Sequence, residues 1–235
     1  ACTAGTTNLG IIDDLSGIGQ LAKSEGLWMH VDGAYGGAGL AARSVRDQFS
    51  GIEMADSFIV DPHKWLFAPF DCCALIYQNP ALAREAHQQL GAYLEVFYDG
   101  VWNASDYAHH LSRRARGLPL WFSLATHGTQ AYEKAVEQTL MVAREAATRI
   151  RKHPDLELVT DQSLSICVFR RIGWTADDYK QWSDRQLEQG DAFVTPTKYK
   201  DESSVDAPAS SGWHVRFRLS SVDGSAVVGR QSWRK

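Results

Sequence analysis

Long apolar runs, an excess of positive charge and paired cysteine motifs are all missing from this sequence. No apolar stretch approaches the ~20 residues that a membrane helix needs, and nothing resembles a signal peptide. The 24 Lys and Arg residues against 28 Asp and Glu residues give a net charge of −4, so there is no basic footprint for nucleic acid. The four cysteines show no CxxC spacing, which disfavours a zinc site and favours reduced thiols in a cytosol.

Two segments carry a charged side chain where an apolar run ends. Asp32 ends the run 27–31, and Lys64 lies where the run 56–60 ends. Pyridoxal 5′-phosphate (PLP) requires such a pair, because a lysine forms a Schiff base with its aldehyde and a carboxylate pairs with its pyridinium nitrogen. Opposite charges ~4 Å apart attract by ~4 kcal/mol at an effective dielectric of 20, enough to keep the ring protonated. Burial of Lys64 beside Trp65 is expected to favour the neutral, attacking amine.

The first half of the sequence has the pattern of a parallel α/β sheet. A helix is expected from a cap at Asp13 or Asp14 to a stop at Gly26. The predicted buried strands are residues 27–31, 56–60 and 72–77. Strand, helix, strand with continuous apolar runs is typical of parallel sheets, in which ligands bind beyond the carboxyl ends of the strands. Asp32 and Lys64 are therefore expected to face one crevice.

The second half predicts helices followed by a small antiparallel sheet. Residues from Tyr132 to Ile150 keep the 3.6-residue spacing of one buried helix face. Strands are predicted at 165–169, 192–195 and 215–219, around one helix near 176–189. This pattern is typical of a small α+β domain, so the chain divides into residues 1–117 and 118–235.

Four motifs in order carry a resemblance to a known family. Residues 3–7 (TAGTT), 30–35 (HVDGAY) and 61–65 (DPHKW) resemble signatures of the PLP-dependent group II amino-acid decarboxylases, which include the aromatic-L-amino-acid and glutamate decarboxylases. Residues 111–116 (LSRRAR) with the following Trp121-Phe122 are similar to a further stretch. The resemblance implies the PLP-dependent transferase fold of type I, with a partial large domain at 1–117 and connecting helices plus a small domain at 118–235. It also implies an enzyme that converts an L-amino acid to an amine and CO2.

The resemblance assigns roles around the cofactor to residues of three motifs. Lys64 would form the Schiff base and Asp32 would hold the proton on the pyridine nitrogen. Ala34 would pack flat against the ring, although Gly33 departs from the alanine common at its position. The remaining cofactor contacts implied are His63 at the phosphate, Thr3 near the ring hydroxyl, and Asp61, where asparagine also occurs.

Further roles come from positions that the resemblance matches outside those motifs. Tyr93 corresponds to a tyrosine on a mobile loop that protonates the carbon left by decarboxylation, a task suited to a phenol. Arg216 corresponds to an arginine that binds the substrate carboxylate in some members, with Arg218 left as the other choice. Ser112 lies where the family's loop approaches the phosphate of the partner subunit. His109 and His110 have no third ligand at a suitable spacing, so no metal site is predicted.

Three readings remain open from the sequence. The first is a decarboxylase, the second is another PLP enzyme of fold type I such as an aminotransferase, and the third is a non-catalytic fragment. The family's phosphate-cradling loop and stacking aromatic ring precede the TAGTT motif, so we expect a carboxyl-terminal half that works with an amino-terminal half. The family also implies a homodimer with its site at the interface. Which amino acid is the substrate does not follow from these residues.

Overall fold

The structure is a computed structural model that describes residues 1–88, 103–190 and 192–198, and the backbone of 213–218. Within these ranges the chain forms two four-stranded sheets with helices. The first sheet contains β1 (Cys2–Thr3), β2 (His30–Asp32), β3 (Ser57–Val60) and β4 (Ala74–Tyr77). The second contains β5 (Leu156–Leu158), β6 (Ile166–Arg171), β7 (Thr195–Lys198) and β8 (Trp213–Arg218). The α-helices are α1 (Leu15–Ser24), α2 (Pro62–Trp65), α3 (Pro80–His87), α4 (Gly117–His127), α5 (Thr129–Lys152) and α6 (Ala176–Glu188).

The first sheet is mainly parallel, as the sequence pattern predicts. Strands β1, β2 and β3 pair in parallel, and β4 pairs with β3 in the antiparallel direction. The prediction that β4 is buried is wrong, because Leu75 and Ile76 are 44% and 53% exposed. Among the described strands β4 is an edge strand, so it has fewer neighbours to cover its side chains.

Helix α1 shows how local chemistry sets the ends of an element. The Asp14 carboxylate accepts the backbone N–H of Gly17 at 2.9 Å, so Asp14 is the cap. Asp13 instead accepts the N–H of Thr3 at 2.7 Å and holds the end of β1. The helix ends at Ser24, and Gly26 follows with φ of +64°, a conformation that favours glycine.

Helix α5 joins the two sheets through a shared apolar core. Its buried face includes Val136, Leu140, Ala143 and Ile150, which confirms the face predicted from the 3.6-residue spacing. Val136 and Leu140 belong to the core cluster beneath the first sheet, which also includes residues of β6. Ala143 and Ile150 belong to a second cluster with α6. The core is therefore continuous across residue 117, and the division into two domains stays a prediction.

The second sheet is antiparallel throughout, in the order β5-β6-β8-β7. The pattern predicted β6, β8 and α6 well, but it placed β7 at 192–195, three residues too early, and it missed β5, α2 and α3. Short elements such as these carry too few residues to show a period. In the described ranges no helix is both long and apolar enough to cross a bilayer.

Candidate active site

The carboxyl ends of three parallel strands meet at one edge of the first sheet. Thr3 on β1 pairs with Asp32 on β2, and Asp32 pairs with Ile59 on β3. The contact continues past the strand ends, because the Asp61 N–H donates to the Ala34 carbonyl at 3.0 Å. The structure therefore places the backbones of four predicted site residues side by side, at the edge where parallel sheets bind ligands.

Lys64 lies on the short helix α2 that begins directly after β3. Its Nζ is 2.7 Å from Oδ2 of Asp61, and the two side chains are 35% and 13% exposed. The expectation that Lys64 is buried is therefore wrong. Trp65, the next residue, is the one that enters the core, because successive helical residues point in directions about 100° apart. In this arrangement Asp61 pairs with the ammonium form of the lysine.

Asp32 is exposed at the end of β2, facing the same edge. Its Oδ1 accepts the backbone N–H of Ala34 at 3.0 Å, so the carboxylate caps the turn that follows the strand. A carboxylate has about four lone-pair positions, so this bond leaves acceptor capacity for a protonated ring nitrogen. Capping the turn and pairing with a cofactor are compatible roles for this side chain.

His63 is held by the turn that follows α2. Its Nδ1 is 2.5 Å from the carbonyl oxygen of Cys72 and 3.2 Å from the backbone nitrogen of the same residue. The ring also packs edge-on against Phe70, with centroids 5.0 Å apart. Because Nδ1 contacts the backbone in either tautomer, Nε2 is the ring nitrogen through which His63 could bind a phosphate.

Cys73 belongs to this site, although sequence reasoning missed it. Val60 pairs with Ala74, and continuing this antiparallel register places Asp61 opposite Cys73. Cys73 is exposed by surface area, but desolvation by the neighbouring atoms, and then the hydrogen bond that its S–H donates to Asp61, raise the pKa of its thiol to about 12. The thiol thus stays protonated and shares Asp61 with Lys64. No signal in the sequence indicates this contact, because it depends on the antiparallel pairing of β3 and β4.

An ion-pair cluster holds the 111–116 motif beside the turn that follows α2. Asp71 accepts hydrogen bonds from Arg114 at 2.7 Å and from Arg116 at 2.9 Å. The Arg116 contact, with the charge of Arg114, holds the pKa of the Asp71 carboxyl below its usual range. Ser112 is exposed in the same segment. The arginines therefore have a structural partner in this chain.

Two predicted residues are not brought to this edge by what the structure describes. Tyr93 lies outside the described residues. Arg216 is on β8 of the second sheet, where its backbone pairs with Val168 and Thr195. Among the described residues no group of three or more His, Cys, Asp and Glu side chains is arranged to hold a metal ion.

The site defines a class of protein: an α/β fold in which an amine and a carboxylate follow neighbouring parallel strands, a donor set that fits PLP. The chain belongs to the pyridoxal-dependent decarboxylase family, because the family model for the pyridoxal-dependent decarboxylase conserved domain matches residues 1–172. Solved relatives of the chain have the PLP fold of type I, which confirms the predicted fold class.

Known relatives are similar over much of this chain. An aromatic-L-amino-acid decarboxylase of Bacillus atrophaeus is 34% identical over 172 residues, covering 72% of this chain and 36% of the relative. A 3,4-dihydroxyphenylacetaldehyde synthase of Aedes aegypti is 31% identical over 237 residues, covering 99% of this chain and 43% of the relative. The crystal structure of mouse CSAD matches with a TM-score of 0.77 at 26% identity, over 93% of this chain and 47% of that chain. The chain thus spans less than half the length of each.

Proposed function

We propose that the protein carrying this sequence uses PLP to decarboxylate an L-amino acid to the amine and CO2. The observation that carries the proposal is the shared sheet edge, where Asp32 and Lys64 follow adjacent parallel strands in a chain of the decarboxylase family. PLP bound there supplies an electron sink for the pair released when CO2 leaves.

The residues at this edge would divide the work of holding the cofactor. Lys64 would bind the aldehyde carbon covalently through Nζ, and Asp32 would keep a proton on the ring nitrogen. Ala34 has too small a side chain to obstruct a flat ring beside it. His63 through Nε2, together with Thr3, would donate hydrogen bonds. Asp61, ion-paired to the lysine, would orient that amine.

The remaining predicted roles rest on the resemblance. Tyr93 would protonate the product carbon, Arg216 would bind the substrate carboxylate, and Ser112 would approach the phosphate of a partner subunit. We also propose a homodimer, and a pocket completed by an amino-terminal half that this sequence does not contain. Residues 1–117 would belong to the PLP-binding domain and 118–235 to the connecting helices and small domain, a division that the two separate sheets support. The four free cysteines support a cytoplasmic location.

A second candidate is an aldehyde-forming reaction of the same site, in which the amino acid, O2 and water would give the aldehyde, CO2, ammonia and hydrogen peroxide. It is suggested by the relative from Aedes aegypti, an aldehyde synthase that matches 99% of this chain, although an acidic amino acid decarboxylase matches the chain equally well. Both reactions need the lysine and the aspartate, so the geometry described above serves either one. The products separate them, because a decarboxylase yields an amine and an aldehyde synthase does not.

The test uses the intact protein with a panel of aromatic, acidic and basic amino acids. We expect CO2 with a matching amount of amine, and PLP fixed by borohydride on the peptide containing Lys64. The Lys64→Ala variant should lose both, whereas Lys23→Ala, which changes an exposed lysine of α1, should keep both. CO2 with aldehyde in place of amine would favour the second candidate, and keto acid without CO2 would indicate an aminotransferase. Protein that fixes no PLP would support a non-catalytic chain.

A further inference from the structure

A buried pair of aromatic rings lies directly behind the candidate site. Tyr35 and Trp65 stack with their centroids 5.1 Å apart and their planes 26° apart, and both side chains are buried. Tyr35 ends the turn that begins at Asp32, and Trp65 follows Lys64 in sequence. Each ring is therefore attached to one of the two backbone turns that carry the predicted cofactor groups.

Each ring is anchored by a buried hydrogen bond to the second half of the chain. Trp65 Nε1–H donates to Oγ1 of Thr139 on α5 at 2.8 Å, and the Thr139 hydroxyl donates to the carbonyl of Val136 at 2.8 Å. The Tyr35 hydroxyl lies 2.6 Å from Oγ of Ser165 and accepts the Ser165 N–H at 3.2 Å. Thr139 and Ser165 are themselves buried.

We propose that Thr139 and Ser165 are positioning residues for the PLP site, which act through the Trp65 and Tyr35 rings. This inference rests on the proposed function, because it takes Lys64 as the residue that binds PLP. The two segments extend the parallel strands β2 and β3, which are held together by their ladder and by the Gly33 N–H, which donates to the Ile59 carbonyl at 3.0 Å. Beyond the strands the Asp61 N–H donates to the Ala34 carbonyl.

These backbone bonds hold the ends of the two strands side by side, and α2, which carries Lys64, begins directly beyond the last of them. The stacked rings add a side-chain contact between α2 and the turn after Asp32, and their anchors on α5 and before β6 give that contact a defined position. The orientation of α2, and with it the position of Lys64 relative to Asp32, therefore depends on residues more than 70 positions away in sequence as well as on the strand ladder. The second half of the chain thereby contributes to cofactor binding without touching the cofactor.

The test compares matched Thr→Val variants of α5 in the intact protein. Thr139→Val keeps the shape of the side chain but leaves the buried Trp65 N–H without an acceptor, and we expect the dissociation constant for PLP to rise about tenfold. Thr139→Ser restores the hydroxyl and should restore the affinity. Thr148→Val is the control, because the Thr148 hydroxyl donates to the carbonyl of Arg144 on its own helix and to nothing near the site.

Three measurements separate positioning from a purely structural role. They are the dissociation constant for PLP, the visible absorbance of the borohydride-fixable species, and the urea midpoint of the PLP-free protein. Equal PLP affinity in Thr139→Val and Thr148→Val, with only the urea midpoint lowered, would overturn the inference. If Thr139→Val does not fold, Tyr35→Phe retains the stack, removes the bond to Ser165 and should weaken PLP binding. A wild-type protein that fixes no PLP would end the proposed function and this inference together.

Discussion

Replacing Gly36 by alanine tests how tightly the turn that follows Asp32 packs against the first sheet. Gly36 directly follows Tyr35, and a Cβ placed on it would lie 2.2 Å from the carbonyl oxygen of Ala4 and 2.6 Å from Cα of Gly5. Both contacts are with backbone just beyond β1, so no flexible side chain can move aside. Since Cβ atoms rarely approach other atoms within 3.0 Å, the two segments must separate by about 1 Å.

The cost of this separation follows from the packing of the core. Overpacking a close-packed interior costs about 1–3 kcal/mol. The cost at Gly36 should lie toward the upper end of that range, because its contacts are with backbone atoms, which cannot move aside as a flexible side chain can. For a chain of this size each kcal/mol lowers the Tm by about 2–4 °C. We therefore expect Gly36→Ala to lower the Tm by at least several degrees and to shift the urea midpoint in the same direction.

The control is Gly117→Ala, the same change at the first residue of α4, where an added Cβ meets nothing within 4 Å. This variant should be neutral or stabilised by a few tenths of a kcal/mol, because alanine loses less conformational entropy in a helix. Thermal and urea unfolding of both variants are compared with the wild type. If Gly36→Ala unfolds at the same Tm as Gly117→Ala, the turn is not packed against β1 as described.

Two further predictions concern titratable groups at the site. Desolvation and then the Asp61 carboxylate raise the pKa of Cys73, so Asp61→Asn, which removes the negative charge, should lower that pKa and speed alkylation of Cys73 by iodoacetamide at pH 8, measured by peptide mass spectrometry; an unchanged rate would show that the carboxylate does not act on the thiol. Because the folded-state pKa of Asp71 is depressed, its ion pairs with Arg114 and Arg116 contribute stability above the ordinary carboxyl pKa of 3.8 and lose it as pH falls below that value. The protection of the amides of residues 113–116, measured as hydrogen exchange relative to the intrinsic rate at each pH, should therefore fall below about pH 4 more than it does in Asp71→Asn, and an equal fall in both proteins would count against the pairs.

Much of the site could be predicted because its chemical groups lie in short, contiguous stretches of sequence. A carboxylate that ends one apolar run and a lysine just after another define two strand ends, and parallel strands bring such ends to the same edge. The cap at Asp14 and the stop at Gly26 likewise depend on groups within a few residues of each other. The family motifs are also contiguous stretches, so they can be read without any knowledge of packing.

Contacts between distant segments could not be predicted from the sequence. Cys73 meets Asp61 only because β4 returns antiparallel to β3, and an apolar run does not record the direction of a strand. Thr139 contacts Trp65 although the two are 74 positions apart in sequence. The sequence pattern predicts that Thr139 is on the buried face of its helix, but it does not show which side chain will donate a hydrogen bond to it. Such contacts depend on how whole elements pack.

The amino-acid sequence by itself determined the parallel character of the first sheet, the long helix α5, the charged residues at the strand ends and the family to which the chain belongs. Only the tertiary structure decided that Trp65 enters the core while Lys64 stays partly exposed and paired with Asp61. Adjacent residues on a short helix differ in direction by about 100°, and the one that becomes buried depends on which side the rest of the protein lies.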